Sequence, residues 1–216
     1  SSAAWKLIDQ LDSKKCRLKV GKEMFTLLGP SFVEKIISKG FDVFLDLKFH
    51  DIPNTVSKAS AICADLGVWM INIHCAGGKA MMERTMELLE NRAYRPLVTG
   101  VTVLTSLDSS QILEVGISTS IEDHVSKLAK LAESCGLDGI VCSPYEVSRI
   151  REERKSSFLL VTPGIRPKFF DKNDQSRIMT PEKAILAGAD YLVIGRPITQ
   201  SKNPSKALED LYLEIN

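Results

Sequence analysis

Residues 42–74, DVFLDLKFHDIPNTVSKASAICADLGVWMINIH, decide the fold. The run from Asp42 to Lys48 is short and mostly apolar, as a buried strand requires, and Thr55 to Leu66 repeats its apolar positions with helical spacing. Gly67 stands where a helix C-terminus favours glycine, and Trp69 to His74 is a second apolar run. Strand, helix and strand in this order, with strands apolar on both faces, imply parallel pairing beneath a covering helix.

The same alternation extends in both directions. Further strands are expected at Arg17 to Gly21, Leu97 to Leu104, Gly139 to Cys142, Phe158 to Pro163 and Tyr191 to Gly195. Helical patterns occupy Ala80 to Leu89, Ile121 to Cys135, Tyr145 to Arg154, Pro181 to Ala187 and Pro204 to Leu213, and Gly40, Gly136 and Gly188 mark further helix ends. No linker or shift in composition interrupts the pattern, so residues 1–216 read as a single α/β domain. An open doubly wound sheet and a closed (β/α)8 TIM barrel both fit such units. The barrel needs an eighth strand, and the numbered chain instead opens on a helical pattern, Ala3 to Leu11. The expectation is a TIM barrel whose first strand is missing from the numbered chain, because a ring truly short of a strand would carry two unpaired edges.

Composition narrows the function. Lys and Arg (28) nearly balance Asp and Glu (27), which gives no global basic field for nucleic acid, so an anionic ligand must be caught locally. Five cysteines, odd in number and without CxxC spacing, indicate neither a disulfide framework nor a zinc site. No run approaches the roughly 18 apolar residues of a membrane span, and no signal-peptide pattern opens the chain, so a cytoplasmic protein is expected.

Within Val43 to Phe49, two opposite charges interrupt an apolar strand. Period-two geometry puts Asp46 and Lys48 on one face, where unpaired charges would cost several kcal/mol, by rough estimate. A structural ion pair is one reading. The functional reading is favoured because His50 and Asp51 follow at once, where the strand should emerge into a loop at the end of a barrel that hosts active sites. Pro53 opens the next helix and leaves Asp51 near its N-terminus. Lys19, two residues after Arg17 in its strand, is either a solvated lysine or a fourth member of an alternating array of Lys19, Asp46, Lys48 and Asp51.

Two phosphate-type signals lie later in the chain, Thr162-Pro163-Gly164-Ile165-Arg166 and Gly195-Arg196, after what would be the seventh and eighth barrel strands. Glycine lets backbone N–H groups approach an oxyanion, and arginine offers a bidentate fork. Each pair alone also suits an ordinary turn. The polar stretch from Pro167 to Thr180, with Asn173-Asp174-Gln175, has lid character. His50, His74 and His124 are too scattered in the pattern to suggest a metal site, and Met81, Met82 and Met86 read as helix packing.

The segments RLKVGKEMF (17–25), DLKFHDIPNT (46–55), VTVLTS (101–106), VTPGIRP (161–167), NDQSRIMTP (173–181) and VIGRPIT (193–199) together resemble, in order, the bacterial orotidine 5′-monophosphate decarboxylase family. The resemblance implies cofactor-free, metal-free conversion of OMP to UMP and CO2, with Lys19, Asp46, Lys48 and Asp51 as the catalytic array and Lys48 protonating C6. It further implies a homodimer in which Asp51, Ile52 and Thr55 enter the neighbouring subunit's site, with Thr105 near the pyrimidine. Pro163, Arg166, Gln175, Gly195 and Arg196 would complete the substrate site and hold the phosphate. The family's first strand, with its ribose-contacting aspartate, has no counterpart in the sequence, and the lid reads KFFDKNDQ where small residues and a glycine are usual. Two alternatives are a magnesium-dependent sugar-phosphate decarboxylase or hexulose-phosphate synthase relative, which shares the Asp-x-Lys-x-x-Asp spacing, and an inactive nucleotide-binding barrel.

Overall fold

The computed structural model describes residues 2–167 and 179–215. Among them, seven strands form one parallel sheet: β1 Leu18–Gly21, β2 Val43–Phe49, β3 Met70–His74, β4 Leu97–Val101, β5 Gly139–Val141, β6 Leu159–Thr162 and β7 Tyr191–Leu192. They pair in chain order, each with the next. The helices are α1 Ser2–Ile8, α2 Lys22–Leu28, α3 Pro30–Ser38, α4 Pro53–Asp65, α5 Lys79–Glu90, α6 Ser109–Glu114, α7 Ile121–Ser134, α8 Val147–Glu153, α9 Pro181–Leu186, α10 Arg196–Thr199 and α11 Pro204–Ile215, with a 3-10 turn at Cys75–Gly77.

Each expected strand is present, several trimmed at the C-terminal end. The last is the shortest, although its pairing continues through the Val193 N–H, which donates to Thr162 O at 2.8 Å. Helices α2, α3, α6 and α10 were not anticipated as elements. They are short, and α6 carries a local signal in Asp108-x-x-Gln111, a capping box in which each side chain bonds the other's backbone N–H.

Period-two alternation sorts the apolar residues into two layers. Phe44, Met70 and Val161 point inward and pack with Trp69, Leu97, Val141, Tyr191 and Val193. Their neighbours Val43, Leu45, Ile71, Ile73, Ile140 and Leu160 point outward into the larger core beneath the helices, where Met81 and Met82 are fully buried. The sheet curls on itself. Trp69, at the start of β3, and Tyr191, opening β7, meet edge to face with ring centroids 5.0 Å apart, and the Arg17 guanidinium lies 4.4 Å from the Trp69 centroid and 5.5 Å from that of Tyr191. Strands so far apart in the order meet only if the sheet is a barrel wall, so the architecture is the TIM-barrel type. No strand precedes β1 among the described residues.

A repeated device closes the N-terminal end of this wall. Gly40-Phe41-Asp42, Gly136-Leu137-Asp138 and Gly188-Ala189-Asp190 each join a left-handed glycine, a buried apolar residue and an aspartate that leads into a strand. Asp138 accepts the Val98 N–H at 2.7 Å and both Arg95 Nη groups at 2.7 and 2.8 Å. Asp190 does the same with the Leu160 N–H (2.7 Å) and Arg151 Nη2 (2.6 Å), and Asp42 pairs with Arg17 Nε at 3.1 Å. The Asp138 and Asp190 carboxylates thereby each satisfy a backbone donor at the start of a strand, which charge assistance makes stronger than a neutral bond, while that of Asp42 pairs with Arg17.

The closest backbone approach in the wall is at Gly139, where a Cβ would stand 2.2 Å from the Leu159 carbonyl oxygen and 2.7 Å from its carbon. Backbone of a central strand has little freedom to retreat. Gly139→Ala is expected to cost about 1–3 kcal/mol, as overpacking of a rigid core does, seen as a lower midpoint in denaturant unfolding. A midpoint equal to the parent's would show that the β5–β6 contact gives way.

Candidate active site

The C-terminal half of β2 departs from regular structure where its charges lie. Phe44 and Leu45 face Met70 and Ile71 of β3, but Phe49 faces Ile73, so β2 spends more residues than its partner over the same span. A bulge of this kind bends the strand and re-aims a side chain. Lys48 has φ +50°, the one positive φ among the described non-glycine residues, which costs a lysine about 1 kcal/mol or more and marks a conformation held by its surroundings. Asp46 and Lys48 do share the interior face, as period two implies. The bulge, rather than a regular pleat, sets the final direction of Lys48.

Asp46 is the centre of the cluster and only 8% exposed. Its Oδ2 lies 3.0 Å from Lys19 Nζ of β1, and its Oδ1 accepts from Lys48 Nζ at 2.5 Å and from Asn72 Nδ2 of β3 at 2.7 Å. Burial alone would push the carboxyl pKa up. The Lys19 charge and the hydrogen bonds from Lys48 and Asn72 outweigh it and hold the group below the usual carboxylate range. Asn72, 1% exposed, also accepts the Lys48 backbone N–H at 2.8 Å. Asn72 is not among the candidates that strand spacing singles out, although an Asn inside the apolar run Met70-Ile71-Asn72-Ile73 is itself a signal that a buried polar partner waits nearby.

The cluster opens into a cavity of about 330 Å³ at the C-terminal ends of the strands. Thr105, beyond β4, lines one wall, and Pro163, Gly164 and Arg166, beyond β6, line another with Gly195 and Arg196 from the end of the β7 segment. Arg166 is 5% exposed and donates through Nη1 to its neighbour's Ile165 carbonyl at 2.7 Å, so its guanidinium is fixed beside the cavity rather than sweeping through solvent. Open space lies where a Cβ of Gly195 would be, which keeps the backbone there approachable. The structure thus brings Lys19, Asp46, Lys48, Thr105, Pro163, Arg166, Gly195 and Arg196 to one cavity, with ammonium groups from β1 and β2 and guanidinium groups from beyond β6 and β7.

Asp51, Ile52 and Thr55 are not among the residues that line it. All three are exposed, Ile52 by 65%, and Asp51 Oδ1 accepts its neighbour Ile52's N–H at 2.6 Å. Gln175, with most of the expected lid, lies outside the described residues. His50 and His74, far apart in the chain, stack with centroids 5.1 Å apart, which sequence spacing could not reveal. Burial, reinforced by His50, Lys22 and Lys48, lowers the His74 pKa to about 4, so this imidazole is neutral at physiological pH. No group of three or more His, Cys, Asp or Glu arranged to hold a metal exists among the described residues.

A parallel barrel whose charged and phosphate-type residues converge on the C-terminal ends of its strands defines a TIM-barrel enzyme. The sequence profile of the Orotidine 5'-phosphate decarboxylase / HUMPS family matches residues 1–211, and the chain belongs to that family. Among named relatives, an orotidine 5'-phosphate decarboxylase of Vibrio cholerae is 55% identical over 205 residues, covering 94% of this chain and 89% of the relative. Another, from Saccharophagus degradans, is 53% identical over 209 residues, covering 97% and 88%. The crystal structure of orotidine 5'-phosphate decarboxylase from Lactobacillus acidophilus superposes with a TM-score of 0.89 at 34% identity, over 100% of this chain and 94% of that one.

The depressed pKa of Asp46 has a signed consequence. A carboxyl more acidic when folded stabilises the protein fully above its unfolded pKa of about 3.9, and that contribution is lost as pH falls through the lower folded value. The melting-temperature gap between the parent and Asp46→Asn should therefore be constant above about pH 4 and shrink below it. A gap that widens in acid would contradict the ion-pair geometry.

Proposed function

We propose that this protein decarboxylates OMP to UMP and CO2 in de novo pyrimidine biosynthesis, with no metal or organic cofactor. The observation that carries the reading is Asp46 held between the ammonium groups of Lys19 and Lys48 in a cavity that Arg166 and Arg196 also line. The guanidinium groups suit a phosphate, and the ammonium groups suit negative charge that develops elsewhere on the same ligand, bound in the cavity of about 330 Å³ that all of them line.

Chemically, the bond between C6 and the carboxylate carbon breaks, CO2 departs, and the electron pair stays on C6. The Lys48 ammonium stabilises that charge as it grows and then gives C6 a proton, and solvent restores the lysine. Asp46 holds both lysines in place through its two oxygens. Thr105 is assigned to the pyrimidine, and Pro163, Arg166, Gln175, Gly195 and Arg196 to the phosphate end, where remote binding energy can serve the chemical step. A magnesium-dependent reading needs carboxylate oxygens open to a metal, whereas both Asp46 oxygens are already engaged by ammonium and amide donors.

The active form is proposed to be a homodimer with shared sites. Exposure of Asp51, Ile52 and Thr55 outside their own chain's cavity supports their entry into a partner's site. A cytoplasmic setting suits five cysteines that are all free, four of them buried.

Lys48→Ala should abolish turnover while leaving UMP affinity nearly unchanged by titration, because the product needs neither the proton nor the carbanion stabilisation. Substantial residual decarboxylation would remove Lys48 from its role. Arg196→Ala should raise KM for OMP and lower kcat/KM, with much less effect on an analogue lacking phosphate; equal losses on both would show that Arg196 does not read the phosphate. Mixing inactive Asp51→Ala and Lys48→Ala proteins under conditions of demonstrated subunit exchange should return about a quarter of parental sites, since about half the dimers are mixed and each has one intact site. A mixture that stays inactive would put Asp51 to work in its own subunit.

A further inference from the structure

We infer that Asn72 is a positioning residue for the proposed decarboxylation, holding the two ends of the Lys48 bulge to Asp46; the inference rests on that functional reading. One carboxamide makes two bonds of opposite sense. Its Nδ2 donates to Asp46 Oδ1 at 2.7 Å and its Oδ1 accepts the Lys48 N–H at 2.8 Å. The register jump between Leu45 and Phe49 takes Lys48 out of the regular β2–β3 pairing, and the side chain from the facing strand supplies the acceptor instead.

The requirement is specific to an amide. A carboxylate at position 72 could accept the Lys48 N–H but would face Asp46 without a proton to share, and an apolar residue would satisfy neither group. Asn72 is buried and lines the cavity, yet its polar atoms are directed at Asp46 and the Lys48 backbone, so its influence passes through them. The positive φ of Lys48 is the conformation this pair of bonds maintains, and it sets the point from which the Lys48 Nζ reaches its 2.5 Å contact with Asp46. The charged groups that line the cavity with this amide are Lys19 from β1, Asp46 and Lys48 from β2, and Arg166 and Arg196, with His74 two residues along β3.

Two variants test the role, each first checked for folding by circular dichroism and thermal melting. Asn72→Leu removes both bonds, so kcat for OMP should fall at least about tenfold with KM within about threefold, because the change acts on the aim of the reacting groups more than on phosphate binding. In Asn72→Asp, kcat should be low at neutral pH and should recover relative to the parent as pH is lowered. A proton taken up between the two facing carboxyls recreates one donor toward Asp46 and one acceptor for the Lys48 N–H. A residue that merely filled space would give no such acid rescue.

Amide hydrogen exchange at Lys48 supplies a readout independent of turnover. It should accelerate at least about tenfold in Asn72→Leu and stay slow in Asn72→Asp. If the parent turns over OMP but Asn72→Leu retains its kcat, or if Asn72→Asp follows the parent's pH profile, the positioning role is overturned. If the parent itself fails to turn over OMP, the functional reading fails, and unchanged Lys48 exchange in Asn72→Leu would overturn the structural part of the inference as well.

Discussion

A carboxylate buried inside a barrel must be neutralised, protonated or expelled, and Asp46 is neutralised by two lysines from adjacent strands. Much of the local structure follows from that constraint. Lys19 comes from β1, which pairs directly with β2; it registers opposite Phe44, two residues before Asp46, and its side chain reaches along the strands to the carboxylate, while Gly21 stands opposite Asp46 itself. Lys48 must turn back toward a carboxylate two residues earlier, and β2 accommodates this with a bulge and a left-handed backbone that a regular strand would not adopt. Asn72 takes the remaining donor and acceptor roles. Breaking one contact leaves charge unpaired in a partly dry interior, so the cluster behaves as a unit whose members are expected to be non-additive.

The two ends of the barrel divide the work. At the N-terminal end, Asp42, Asp138 and Asp190 tie strand starts to arginines, and Trp69, Tyr191 and Arg17 fill the interior below the site. Nothing there needs to move. The opposite end carries the strained lysine, the cavity and the loops after β4, β6 and β7. A rigid base beneath a preorganised cluster suits chemistry whose main demand is electrostatic, because charge fixed before the reaction costs no reorganisation during it.

The strands were legible because buried parallel strands are written as short apolar runs between glycine-ended helices, and Asp46 and Lys48 stood out against that background. Arg166, Gly195 and Arg196 were legible as glycine and arginine at expected loop positions. What the sequence left hidden is what depends on neighbours across the sheet: the bulge at Lys48, the role of Asn72 and the stacking of His50 on His74. Short helices such as α2 and α10 were missed because a turn or two carries too little periodicity to register. Asp51 joined the array by its spacing, but in the folded chain it is exposed and is not among the residues that line its own cavity, a placement no periodicity encodes.

The central claim is that lysine, held in place by Asp46, does here what a metal ion does in other decarboxylating sites. Its most direct measurement is the decay of the OMP absorbance band on addition of purified protein in excess chelator, with the product identified as UMP. Continuous turnover at a rate unchanged by chelator is the predicted result. Activity that disappears in chelator and returns with added magnesium would contradict it.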